Sequence, residues 1–246
     1  ARERFILHEL NKLVGSVRDG LESFAFHRSF QAIYTFCGVT LSSFYMDVLK
    51  DTLYTRGQDS EMRRSVQSVM ARVLDVLVRL LAPFVSFTAE EAYRENPAGG
   101  KKESVFMEDF PRVNPEFEDR DLAYEFTKLF EIRDEVLKKL ETERSEGRLK
   151  ASIDSRVVLS AKESSDRELL QKYEKDLADF FIVSQVDLAS WDDTGDASGQ
   201  LYNVEVEKPR GKKCIRCWLW FESVGSHADH PEICDKCHEV IKTLDL

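Results

Sequence analysis

The sequence predicts a mainly α protein: an antiparallel helical bundle, then a small α/β subdomain, then a compact cysteine-rich tail. Three observations lead there. Apolar residues recur at three- and four-residue steps through most of the first 150 positions. The pattern changes to β-branched alternation between about residues 156 and 206, and four of the five cysteines fall within the stretch from Cys214 to Cys237. With 246 residues, 42% hydrophobic and 11% aromatic, the chain can bury one large core or two ordinary ones, and it is too aromatic for a disordered polyampholyte.

The first helix is marked by Leu7, Leu10, Val14, Val17 and Leu21, with Arg4, Lys12, Arg18 and Glu22 on its other side and Gly20 near its end. A second run holds Phe26, Phe30, Ile33, Tyr34 and Cys37 and continues past Gly38. Ser42-Ser43, good N-cap residues, predict the start of a third helix that brings Phe44, Tyr45, Val48 and Leu49 to one face. Asp59 or Ser60 caps the fourth, whose stripe runs Val66, Val69, Met70, Val73, Leu77, Leu80 and Leu81 up to Pro83, which ends or kinks it. Thr88 with Glu91 fits a capping box for a short helix to about Glu95, and Asn96-Pro97 with Gly99-Gly100 predicts a loop. A long charged helix follows from about Glu116 to Glu146, with Leu122, Phe126, Leu129, Ile132, Val136 and Leu140 facing inward. Strands are expected at Arg156 to Ala161, Ile182 to Leu188 and Leu201 to Val206, with a helix at Arg167 to Phe181 and a polar loop at Asp192 to Gly199. The expected regions are therefore a helical domain at 1–149, an α/β junction at 150–207 and the tail at 208–246.

No apolar run approaches the ~18 residues needed to span a bilayer, and no basic-plus-apolar leader opens the chain. A soluble, cytoplasmic protein is the expectation, and a chain opening on Ala1 reads as a fragment. The net charge of −10 argues against a nucleic-acid binder when taken as one number. By segment it does not. Residues 1–100 carry 12 basic and 12 acidic side chains and residues 207–246 carry 7 of each, so the whole excess lies between, where 26 acidic groups face 16 basic ones. Both ends are free of net repulsion toward a polyanion, and the acidic middle reads as a solvated face.

Cys214 and Cys217 form one C-x-x-C pair, and Cys234 and Cys237 another after sixteen residues. Each pair presents two sulfurs from one tight turn, so two turns close a tetrahedron around one Zn²⁺. Four thiolates leave no position for water, which makes the metal structural and the tail a four-cysteine zinc finger. His227, His230 and His238 lie nearby but are not needed as ligands, and the isolated Cys37 reads as a small buried hydrophobe. Lys208, Arg210, Lys212, Lys213 and Arg216 sit together with Trp218, Trp220 and Phe221 around the metal turns. Cations reach phosphates and aromatics stack on unpaired bases, which suits looped RNA; a mini-domain core solvated by its cations is the plainer reading.

Further motifs carry a resemblance. S-S-F-Y-M-D-V-L-K-D-T-L-Y-T at Ser42 to Thr55, R-R-S at Arg63 to Ser65 and L-L-A-P-F-V-S-F-T-A-E-E-A at Leu80 to Ala92 resemble the anticodon-binding helical domain of class I aminoacyl-tRNA synthetases. The tail, K-C-I-R-C-W with H-P-E-I-C-D-K-C, is similar to the zinc finger that ends the bacterial isoleucyl-tRNA synthetases. The resemblance implies the C-terminal part of a ligase that joins isoleucine to tRNA(Ile) with ATP. It also implies upstream catalytic and editing domains in the same polypeptide, and neither the HIGH nor the KMSKS catalytic signature occurs here. The implied partner is the anticodon stem-loop of tRNA(Ile), bound by a monomer that carries one structural zinc and no catalytic residue. By position, Arg216 and Trp218 become the anticodon contacts, Lys212, Lys213 and Arg210 the phosphate contacts, and Arg63 and Arg64 further RNA contacts at a helix start. Tyr45, Asp47, Lys50, Asp51 and Tyr54 match the motif but read as packing and hydrogen bonding. Competing readings are a zinc-stabilised protein-docking module, the equivalent region of a valyl- or leucyl-type synthetase, and a DNA glycosylase, whose N-terminal Pro-Glu pair is absent.

Overall fold

A computed structural model describes residues 1–97, 100–191 and 200–243. Two compact units result: Ala1–Leu49 with Gln58–Ala123, and Lys50–Gly57 with Tyr124–Leu246.

In the first unit, helix α1 (Arg2–Glu22) packs against α2 (Phe26–Thr35) and α4 (Glu61–Leu81). Phe5, Ile6, Leu10, Leu13, Val14 and Val17 are its buried apolar side chains, a face slightly rotated from the expected stripe. Where α1 and α2 meet, Gly20 leaves room for Ser29, whose buried Oγ donates to the Val17 carbonyl at 3.0 Å. Ser60 caps α4 and the helix stops at Leu81, two residues before Pro83, as the sequence predicts.

Two helix starts differ from expectation. The chain does not restart at Ser42-Ser43; a π-helical stretch, Phe36–Tyr45, joins α2 directly to α3 (Met46–Thr55). Ser43 Oγ satisfies the Gly38 carbonyl five residues back, at 2.7 Å, so the serine supports a widened turn instead of capping a new helix. The continuous helix Phe26–Thr55 is long and apolar enough to cross a membrane by length and composition, which corrects the reading that no segment is. Its Ile33, Phe36, Phe44, Tyr45, Val48 and Leu49 are nevertheless buried inside the protein. The Thr88–Glu91 capping box does not form either. Helix α5 (Ser86–Glu95) begins three residues earlier, where Ser86 Oγ already continues the preceding turn by donating to the Ala82 carbonyl. Glu90 acts instead as an acceptor for the following loop, taking the Val105 N–H and the Ser104 hydroxyl, both at 2.9 Å.

The second unit is organised by α6 (Arg120–Ser145), whose part from Tyr124 onward belongs with the α/β elements. Phe126 meets Tyr173 and Phe180 of α7 (Ser164–Phe181) edge-on, each at 6.0 Å between ring centres. Strand β1 (Arg156–Ala161) is central: β2 (Gln185–Leu188) runs parallel to it after the α7 crossover, with Arg156 opposite Gln185. On its other edge β3 (Tyr202–Glu207) runs antiparallel, with Val157 opposite Val206. Ile182, expected as a strand residue, is instead the left-handed C-cap of α7 at φ 59°. The tail adds a short hairpin, β4 (Lys212–Lys213) with β5 (Trp220–Phe221), and α8 (Asp235–Lys242). The predicted loop at Asp192 to Gly199, and Gly99 in the loop before it, lie outside the described residues.

Candidate metal centre and nucleic-acid interface

The two cysteine pairs come from different local structures. Cys214 and Cys217 sit in the turn that closes the β4–β5 hairpin, where the Trp218 N–H donates to the Cys214 carbonyl and the Cys214 N–H to the Leu219 carbonyl, both at 2.9 Å. Cys234 is the N-cap of α8 and Cys237 lies in its first turn. The folded chain brings all four Sγ atoms within 4.8 Å of one another, with Cys217 and Cys234 at 3.8 Å. A tetrahedron with Zn–S bonds of about 2.3 Å has S···S edges of about 3.8 Å, so the cluster has the dimensions that zinc requires. Cys214, Cys234 and Cys237 are fully buried, and Val224 and Ile233 pack around them.

The thiols are not equivalent. Hydrogen bonds from Cys217 and Cys234, with a further one from Arg216, pull Cys237 far below the ordinary thiol range. Cys217 is pushed far up by its contact with Cys234. Crowded sulfurs of this kind ionise together when a cation sits between them.

The histidines are arranged differently. His227 and His238 stack at 3.6 Å between centres and 19° between planes, and with Asp229 they place ligand atoms within 4.8 Å of one another. Each is tied to a carboxylate, His227 to Asp235 at 2.7 Å and His238 to Asp229 at 3.0 Å.

Of the residues expected to meet RNA, Trp218 stands out. It follows the second cysteine at φ 65°, a left-handed conformation that is strained for a bulky residue, and its side chain remains 64% exposed. Its indole N–H donates to the Ile215 carbonyl at 3.1 Å, which fixes the ring's edge, and Ile215 beside it is 60% exposed. Lys212 is exposed on β4. Lys213, also exposed on β4, is engaged: its Nζ donates to Asp154 at 2.6 Å, where the Trp220 indole also donates at 3.0 Å. Burial works to raise the Asp154 pKa, but these two hydrogen bonds outweigh it and hold the carboxyl below its usual range. Arg210 pairs with Asp187 at 2.7 Å and exchanges backbone bonds with the Gln185 side chain. Arg216 donates to the Thr55 carbonyl at 2.7 Å and to Cys237 Sγ at 3.4 Å. In the first unit, Arg63 and Arg64 occupy the first turn of α4; the Arg63 N–H is taken up by the Ser60 cap and Arg64 is exposed. The chain's local pattern gives no sign of the Thr55, Asp154 and Gln185 contacts, because their partners lie 25 to 161 residues away.

The geometry defines a helical protein that ends in a metal-organised module with a strained, exposed aromatic at its tip. Residues 3–159 match the anticodon-binding domain of tRNA ligase, and the chain belongs to that family. Residues 211–240 match the zinc finger found in FPG and IleRS, which together with the four-sulfur cluster points to a structural zinc. The chain is 44% identical over 243 residues to an isoleucine–tRNA ligase of Syntrophotalea carbinolica, covering 97% of this chain and 26% of that protein. Isoleucine–tRNA ligases of Fervidobacterium nodosum and Thermotoga maritima are 41% and 37% identical, each over 98% of this chain and 26% of their own length. The chain thus spans about a quarter of the length of the curated relatives it matches.

Proposed function

We propose that this chain is the tRNA-recognising, C-terminal part of an isoleucine–tRNA ligase, engaging the anticodon stem-loop of tRNA(Ile). Catalytic and editing domains elsewhere in the same polypeptide then perform the ATP-dependent ligation. In this reading 1–149 is the helical anticodon domain, 150–207 a junction and 208–246 the zinc finger of a cytoplasmic monomer, and no residue here breaks or makes a bond. The observation that carries the reading is Trp218. A tryptophan held in a costly backbone conformation, with its edge hydrogen-bonded and its face open to solvent, suits stacking on an unpaired base. Lys212 and Arg64, both exposed, are the cations proposed to meet phosphate first. Arg63, Arg210, Lys213 and Arg216 would act from positions that their intramolecular bonds already fix.

The test is binding of tRNA(Ile) and an anticodon-swapped tRNA at several salt concentrations. Trp218→Ala is expected to weaken cognate binding by about 5- to 150-fold, the equivalent of ~1 to 3 kcal/mol of lost stacking. Lys212→Ala should weaken both RNAs alike and reduce the salt slope by about one. Equal affinity for the two RNAs, unchanged by Trp218→Ala, would reject anticodon reading. Salt-insensitive binding to a protein partner would favour the docking-module alternative.

A further inference from the structure

Each C-x-x-C turn places a cation at its third position: Arg216 in C-I-R-C and Lys236 in C-D-K-C. Both cations reach the same place, the C-terminal end of α3. Arg216 Nη1 donates to the carbonyl of Thr55, the last residue of that helix, and also to Cys237 Sγ. Lys236 Nζ donates to both oxygens of Asp51, at 2.8 and 2.7 Å, and the two side chains are only 17% and 18% exposed. Asp51 in turn accepts from the Thr55 hydroxyl at 3.0 Å, so the two grips share one helical turn. The last carbonyls of a helix lack intrahelical partners and carry partial negative charge. Four thiolates around Zn²⁺ carry a net charge of two minus, here in a cluster with three fully buried cysteines. A guanidinium shared between a thiolate and a helix-terminal carbonyl answers both needs at once.

We propose that Arg216 and Lys236 are positioning residues that couple zinc occupancy to order at the end of α3, residues 50–57. The metal draws both C-x-x-C turns into one frame, and only in that frame do the two cations reach the same helical turn. Arg216 further tunes the cluster through its hydrogen bond to sulfur, whereas Lys236 acts through Asp51 and touches no sulfur. The inference does not rest on the RNA reading, because its test contains no RNA.

The test uses the whole 246-residue chain, loaded with Zn²⁺ or Co²⁺, with amide hydrogen exchange followed over 50–57 and over α4 as an internal reference. Zinc removal is expected to speed exchange in 50–57 at least tenfold while α4 stays unchanged. With metal bound, Arg216→Met should loosen 50–57, speed metal transfer to a chromophoric chelator severalfold and shift the sulfur-to-cobalt charge-transfer band. Arg216→Lys should restore part of each effect. Lys236→Met should loosen 50–57 without moving the band. Protection of 50–57 that survives both zinc removal and Lys236→Met would overturn the proposal. So would an Arg216→Met protein with parental band and transfer rate. If Arg216→Met takes up no metal, Lys236→Met and Asp51→Asn decide it: loosened 50–57 exchange with metal bound supports the coupling, and unchanged exchange rejects it.

Discussion

Removing the metal separates the two sources of stability in this chain. The tail's own apolar core has two buried aliphatic side chains, Val224 and Ile233, with Phe221 and Ile241 partly buried against the cluster, and its secondary structure is two 2-residue strands and one 8-residue helix. Burying two aliphatic side chains is worth about 3 to 6 kcal/mol together. Binding of a structural zinc contributes on the order of 10 to 16 kcal/mol, so the metal term dominates and the tail is expected to unfold without it. The helices of the first unit rest on separate apolar packing, with Ile6, Val17, Leu49, Val66 and Leu80 fully or almost fully buried, and keep their structure. On chelation, far-UV circular dichroism should fall by no more than the share of α8 and the last turn of α3. Trp220 emission should shift to the red as its bond to Asp154 is lost, and the amides of Cys214, Trp218 and His238 should lose protection. Cys234→Ser should reproduce this state in the presence of zinc. A metal-free protein that keeps those three amides protected would refute the reasoning, because the tail would then be standing on a core too small to support it.

Other perturbations follow from single contacts. Gly211 has φ +83°, and a Cβ there would lie 2.2 Å from the Phe221 carbonyl oxygen, so Gly211→Ala must push the β4–β5 hairpin apart. Backbone strain of ~1 to 3 kcal/mol plus that clash should show as faster zinc loss in a chelator competition. Gly20→Ala would place a methyl 2.3 Å from Ser29 Oγ and break the bond to Val17, lowering stability of the bundle by about 1 to 3 kcal/mol in urea unfolding. Tyr45 is buried with its hydroxyl unpartnered, so Tyr45→Phe should be neutral or stabilising by up to about 1 kcal/mol in the same assay. Glu90 is held below the ordinary glutamate range chiefly by the Val105 N–H, and Glu108 by the Lys102 N–H and the Tyr93 hydroxyl. A depressed folded-state pKa adds stability above the unfolded value of about 4.3 and loses it as pH falls through the folded value. Exchange protection of residues 102–108 should therefore be intact at neutral pH and collapse below about pH 4.3, a pH dependence that Glu90→Gln and Glu108→Gln together remove.

Local chemistry was legible in the sequence wherever partners lie close along the chain. The C-x-x-C turns, the Ser60 cap, the stop before Pro83 and the alternation of β1 and β3 all depend on neighbours a few residues apart. Where two local rules competed, tertiary packing chose: Ser43 supports a widened turn because the helix it belongs to stays in the bundle, and Ser86 continues a turn that the Thr88 box would have begun. The sequence by itself determined the two C-x-x-C pairs and the family, since spacing and residue type suffice for both. Only the tertiary structure decided which of the cations near the metal remain open. Arg216, Lys213, Arg210 and Lys236 are engaged by Thr55, Asp154, Asp187 and Asp51, partners 161, 59, 23 and 185 residues away. A charge on a sequence has no direction until the chain has folded and placed its counter-charge.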